Sequence, residues 1–286
     1  MAVLRRLLLP FARRFVAGET VESAVQHAHE LNEDGIVAYI DLLGEHVEDR
    51  GVAEDARDEY IDLLDRMAAE DIDAGLSIKP THLGLNIDRA FCRDNIATIL
   101  ERAAADGRYV WIDMESSDHT DATLDLYLDL LSEYSNVGVC IQAYLKRSRD
   151  DVERVIDAGG DIRLVKGAYS EPPEVAYQDR DAVDRNFREL MELLFDADTY
   201  FAVATHDEHL IERAKQRADV SGRSRDEFAF QFLMGVRDGL ERELAEDGYR
   251  VGEYVPYGPE WLSYYWRRVR ERKENLWFAL RAVTGL

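Results

Sequence analysis

Short apolar runs rich in β-formers alternate along the chain with longer segments whose apolar residues fall three and four apart. The strand candidates are GIVAYIDLL (35–43), GLSIKPT (75–81), YVWIDME (109–115), VGVCIQA (137–143), IRLVKGA (162–168), FAVATH (201–206), FAFQFLM (228–234) and RVGEYVP (250–256). Between them lie EDARDEYIDLLDRMAAE, DRAFCRDNIATILERAAAD and DAVDRNFRELMELLFDAD, charged stretches with helical spacing of apolar residues. A further helix is predicted from Thr20 to Asp34, stopped by Gly35. Eight alternating β/α units predict a parallel sheet closed into a (β/α)8 barrel of the TIM type, residues 35–286, behind an N-terminal helical extension, residues 1–34. No GxGxxG follows any strand, which disfavours a Rossmann dinucleotide site.

The stretch YVPYGPEWLSYYWRRVRE (254–271) ends the last strand and opens another helix. Pro259 suits a first helical position, where a missing N–H goes unnoticed. Glu271 follows Arg267 by four residues and Arg268 by three, so one carboxylate reaches either guanidinium. Such a braced pair suits a bound carboxylate. An Arg pair by itself equally describes a solvated helix face.

Charge narrows the partners. Asp and Glu number 58 against 35 Lys and Arg, a formal net charge of -23, which argues against nucleic acid. Only five of the 35 basic residues are lysine. An acidic, lysine-poor surface predicts a halophilic cytoplasm, with a GC-rich coding bias as the ordinary alternative. Cys92 and Cys140 have neither metal spacing nor a paired framework and read as core thiols. The N-terminal MAVLRRLLLPFARRFVAGET is broken by Pro10 and paired arginines, too short for a membrane span, and is expected to pack on the barrel or touch a membrane surface.

Barrel strands are buried on both faces, so a charge inside one must face the barrel mouth or find a partner. Lys79, Asp113, Gln142, Arg163, Lys166, His206 and Tyr254 all sit at or near the carboxyl ends of predicted strands. Any one alone fits a structural ion pair. The set together marks the face where barrel active sites form. His206 lacks a second ligand at metal spacing, and no metal is expected. His27 and His29 fall on a predicted surface helix without chemistry.

YVPYG followed by W..YYWRRVRE resembles the C-terminal signature of the proline dehydrogenases, and the likeness runs back to GIVAYIDLLGE. The resemblance implies FAD as cofactor, L-proline as substrate, Δ1-pyrroline-5-carboxylate as product, hydride transfer to flavin N5, and a membrane quinone as electron acceptor with peripheral contact at the inner face of the cell membrane. It places Arg267 and Arg268 on the proline carboxylate with Lys79 beside them, and Asp113 and Tyr254 in the catalytic pocket. Leu233 would pack on the pyrrolidine ring or serve as plain barrel core. Met114, Gln142, Arg163, Lys166, Gly167, Ala168, Thr205 and His206 match flavin contacts. Glu45 matches an acidic gate that pairs with Arg267, and Glu271 supports the Arg pair. Tyr169 would stack on a cofactor or cover the barrel. The resemblance also implies a distorted (β/α)8 barrel with the last helix over its mouth. Two rivals remain: a Schiff-base aldolase using Lys79 or Lys166, and a non-catalytic carboxylate-binding module using the Arg pair.

Overall fold

The computed structural model describes residues 12–262, 264 and 265. Helix α1 (Val21–Glu33) precedes β1 (Val37–Leu42), and the chain then alternates. The order is α2 (Arg50–Ala69), β2 (Ala74–Ile78), α3 (Arg89–Ala105), β3 (Val110–Ile112), a 3-10 turn (Ser117–His119), α4 (Thr120–Leu131) and β4 (Val137–Gln142). It continues through α5 (Ser148–Asp157), β5 (Asp161–Val165), α6 (Arg180–Asp196), β6 (Phe201–Ala204), α7 (Glu208–Ser221), β7 (Phe228–Leu233), α8 (Asp238–Glu246) and β8 (Arg250–Tyr257). All eight strands are parallel and close on themselves through the β1–β8 pairing, as the alternation predicts.

Aspartates set where four helices begin. Asp49, Asp88, Asp179 and Asp207 each accept a backbone N–H in the first turn of α2, α3, α6 and α7, each contributing about 1 kcal/mol and fixing the loop that leads in from the preceding strand. Thr20 and Ser23 form a reciprocal capping box on α1.

The strands sort by alternation into two unlike faces. Outward residues such as Ala38, Ile40, Leu42, Leu76, Ile78, Ile162 and Leu164 join helix residues in one continuous apolar shell. Inward residues are aromatic, small or polar: Tyr39, Trp111, Ala202 and Ala229 fill the lower barrel, and Asp41, Ser77, Lys79, Arg163 and Gln231 lie above them, all buried. The polar residues therefore stack toward the carboxyl ends of the strands.

Helix α1 packs against both β8 and β1. It buries Ala24, Val25, Ala28 and Leu31 where the helix following the last strand would sit in a regular barrel. That substitution releases the chain after β8 to cross the mouth. Trp261, Tyr264 and Tyr265 do so, packing with Ala12, Phe15, Val16, Leu43 and Val236. The segment before α1 is stitched to the same rim: Ala17 N–H donates to the Pro256 carbonyl at 2.9 Å, Trp261 Nε1 to Glu19 at 2.6 Å and Arg14 Nε to the Gly235 carbonyl at 3.1 Å. Gly235 is required there, since a Cβ would run into the Arg14 carbonyl and φ is +72°. Of the expected amphipathic extension, the described part thus packs on the barrel. Among the described residues no helix is long and apolar enough to cross a membrane.

Candidate active site

Strands β1, β2, β3 and β8 bring four polar side chains together at the mouth. Lys79 Nζ donates to both Asp41 oxygens at 2.7 Å and to the Tyr254 hydroxyl at 3.0 Å, with Asp113 4.0 Å away. Asp41 is fully buried and Lys79 nearly so. Burial pulls the lysine pKa down, but the Asp41 and Asp113 carboxylates outweigh it and leave it above the ordinary value. A lysine held charged in this way is a poor Schiff-base nucleophile. The Tyr254 hydroxyl is held well above its ordinary pKa by burial and then by Asp41 and Asp113, so it stays protonated.

A second charge pair lies beside the first. Arg163, on β5, reaches across the barrel interior, donating from Nε to Gln231 Oε1 at 2.6 Å and from Nη1 to Ser77 Oγ at 2.8 Å and Asp113 Oδ1 at 2.9 Å. Burial raises the Asp113 pKa against the pull of Arg163 and Lys79. With Asp41 matched to Lys79 and Asp113 to Arg163, these four charges balance. Lys79 therefore presents no uncompensated positive charge, since Asp41 holds it. Arg267, Arg268 and Glu271 lie outside the described residues.

A cavity of about 440 Å³ opens over these groups. It is lined by Lys79, Asp113, Leu233 and Tyr254 together with Met114, Gln142, Arg163, Lys166, Gly167, Ala168, Thr205 and His206. Lys166 is braced by Asp184 at 2.5 Å and Asp207 at 2.9 Å, and Asp207 also caps α7. His206 Nε2 accepts the Leu233 N–H at 2.9 Å, tying the end of β6 to the end of β7 and occupying the nitrogen a metal or a proton would need. No cluster of metal-ligating side chains occurs among the described residues.

Three buried polar atoms on this lining, Gln142 Oε1, Arg163 Nη2 and Gln231 Nε2, have no hydrogen-bond partner among the described residues. Buried polar groups are rarely left so. Two donors and one acceptor on the wall of a cavity with apolar stretches at Met114, Ala168 and Phe232 fit a planar heterocycle that carries both donors and acceptors. A flavin ring meets that description.

The profile described as Proline dehydrogenase matches residues 24–281. The chain belongs to the proline dehydrogenase family. It is 39% identical over 272 residues to "Proline dehydrogenase 1" of Bacillus subtilis subsp. natto, covering 95% of this chain and 90% of that one. It is 37% identical over 284 residues to the proline dehydrogenase of Deinococcus radiodurans, covering 98% and 92%. In fold it is similar to proline utilization A of Bdellovibrio bacteriovorus, a structure inactivated by N-propargylglycine, with a TM-score of 0.87 at 22% identity. That likeness covers 94% of this chain and 33% of the longer one.

Twelve of the residues singled out by resemblance to the proline dehydrogenases thus line one cavity. Glu45 stands apart at the rim, where it accepts the Tyr169 hydroxyl at 3.3 Å. That contact joins the loop after β1 to the loop after β5, and Tyr169 itself lines the cavity. Sequence reasoning passed over Asp41 and Gln231, although both are polar residues inside apolar strands and the rule that selected Asp113 selects them too. It also passed over Phe15 and Tyr264, which line the cavity from segments far apart in sequence and carry no local signal. His27, on α1, makes a structural contact outside this cavity, its Nε2 2.6 Å from buried Glu253. The two cysteines are core thiols: burial raises both pKa values, that of Cys140 to about 12.

Proposed function

We propose that this member of the proline dehydrogenase family oxidises L-proline to Δ1-pyrroline-5-carboxylate using non-covalent FAD. The observation that carries the reading is the single cavity in which the charge-balanced Lys79–Asp41–Asp113–Arg163 group meets the unpaired buried atoms of Gln142, Arg163 and Gln231. Met114, Gln142, Arg163, Lys166, Gly167, Ala168, Thr205 and His206 would hold the cofactor, and Lys79, Asp113, Leu233 and Tyr254, with Arg267 and Arg268, the substrate.

FAD held by these residues would supply the two-electron acceptor for the hydride lost from proline C5. The ring nitrogen must be unprotonated, because its lone pair forms the C=N bond as the hydride departs. The protein favours that state by placing the carboxylate on Arg267 and Arg268, whose charges oppose an ammonium nearby. Lys79 is already neutralised by Asp41, so its part is to orient the Tyr254 hydroxyl against the ring edge and exclude water. Arg163, whose Nη2 has no partner among the described residues, would offer a charged donor to the cofactor. Electrons would pass on to a membrane quinone, with the protein cytoplasmic and peripheral to the inner face of the membrane.

The test is spectroscopic. The purified protein should be yellow, and anaerobic L-proline should bleach its flavin absorbance. A colourless protein that oxidises proline with NAD, or a flavoprotein that proline does not bleach, ends the reading. Borohydride trapping of substrate on Lys166 would point to the aldolase.

A further inference from the structure

The guanidinium of Arg163 does not rest on hydrogen bonds alone. Its Cζ lies 4.9 Å from the Trp111 ring centroid and 5.4 Å from that of Tyr39, and the two rings meet edge to face, 6.4 Å apart at 76°. Both rings lie at the lower end of the barrel interior, where aliphatic side chains fill the layers of an ordinary barrel. The neighbouring strands make room for them. A Cβ on Gly138 would collide with the Trp111 ring, and one on Gly252 would come within 2.6 Å of Tyr39 Cε2. The register puts Gly138 beside Trp111 on β4, and Gly252 packs over Tyr39 from β8. Two glycines in buried strands carry an entropic cost and no packing gain of their own. Their effect is to admit a two-ring floor under one cation.

We propose that Trp111 and Tyr39 are positioning residues that hold the Arg163 guanidinium up against the cavity, leaving Nη2 as the donor offered to the bound cofactor. The inference rests on the FAD reading above. Trp111 is fully buried and does not line the cavity, whereas Arg163 does, so it acts through the arginine. The hydrogen bonds from Nε and Nη1 fix one edge of the guanidinium but leave it free to tilt about that edge. The ring faces beneath remove that freedom, since a cation over an aromatic face is attracted to it. Loss of the Trp111 ring opens a void into which the guanidinium settles, and Nη2 withdraws from the cavity wall. A cation near the redox centre stabilises the reduced, anionic form over the oxidised one, so its withdrawal lowers the reduction potential.

The experiment is an anaerobic potentiometric titration of the FAD-loaded wild type, Trp111→Leu and Trp111→Phe. Trp111→Leu is expected to weaken reduced FAD relative to oxidised about tenfold, a fall of about 30 mV for a two-electron couple. Trp111→Phe keeps an aromatic face and is expected to restore most of that shift. The affinity of sulfite for the oxidised flavin, a second readout of local positive charge, should fall in the same order. If Trp111→Leu does not fold, Tyr39→Leu removes the other ring and carries the same expectation. A folded, FAD-loaded leucine variant with the wild-type potential, or a phenylalanine variant as low as leucine, overturns the proposal. A wild type without FAD overturns instead the cofactor reading beneath it.

Discussion

Replacing Asp41 by Asn tests the charge balance at the mouth directly. Asparagine keeps the shape and removes the charge from a fully buried side chain whose two oxygens each lie 2.7 Å from Lys79. Lys79 would be left buried with Asp113 at 4.0 Å as its nearest acid, and Asp113 is already engaged by Arg163 at 2.9 Å. Removing one partner of a buried pair costs about 3–5 kcal/mol. An upper bound comes from the lysine's alternative: shedding its proton at pH 7 from an ordinary pKa of 10.5 costs about 5 kcal/mol at 1.36 kcal/mol per pH unit. The two estimates agree, so Asp41→Asn should lose about 3–5 kcal/mol in urea unfolding. Lys79→Met in the same background should recover a large part of it, because the uncompensated cation is then gone. The single and double variants form a cycle whose coupling term is the pair itself. In activity, Asp41→Asn should raise the KM for proline, since Lys79 no longer holds Tyr254. A loss of under about 1 kcal/mol in Asp41→Asn, or no recovery in the double variant, would refute the picture of Asp41 as the counter-charge.

Glu241 lies buried beside Glu253, and burial followed by that like charge raises its pKa to about 10. The folded protein therefore binds a proton that the unfolded chain releases near 4.5, and stability falls as pH rises between about 4.5 and about 10; Glu241→Gln should flatten that decline in melts taken across the range. With -23 of formal charge, stability should climb with KCl into the molar range, and a melting temperature flat from low to molar salt would remove the halophilic reading. Arg268→Lys keeps the charge but loses the planar two-donor grip, so kcat/KM for proline should drop ten- to a hundredfold, on the order of 1.5–3 kcal/mol, with folding unchanged; wild-type kinetics would place Arg268 on a solvated face. Gly235→Ala should push the Arg14 carbonyl off the rim and destabilise the mouth, seen as faster proteolysis before α1.

What the sequence determined by itself is the periodic part. Eight short apolar runs separated by stretches of period 3.6 leave few topologies open, and a parallel order with short right-handed crossovers closes into a barrel. Polar residues in apolar strands were legible for the same reason: Asp113, Arg163 and Lys79 break a local pattern, so each announces itself without a structure. Which partner each takes is not local. Asp41 and Lys79 are 38 residues apart, Arg163 and Gln231 are 68 apart, and only the closed sheet sets them within hydrogen-bond reach. That pairing decides the charge of the site, because Lys79 becomes one half of a neutral pair with Asp41. The role of α1 was hidden likewise. Its amphipathic pattern shows a helix with one buried face, but nothing in that pattern says the face covers the β8–β1 seam and frees the chain after β8 for the mouth. The two glycines beneath Trp111 and Tyr39 make the same point at atomic scale, since a glycine in a strand reads as a weakness until the ring that needs its missing Cβ is in view.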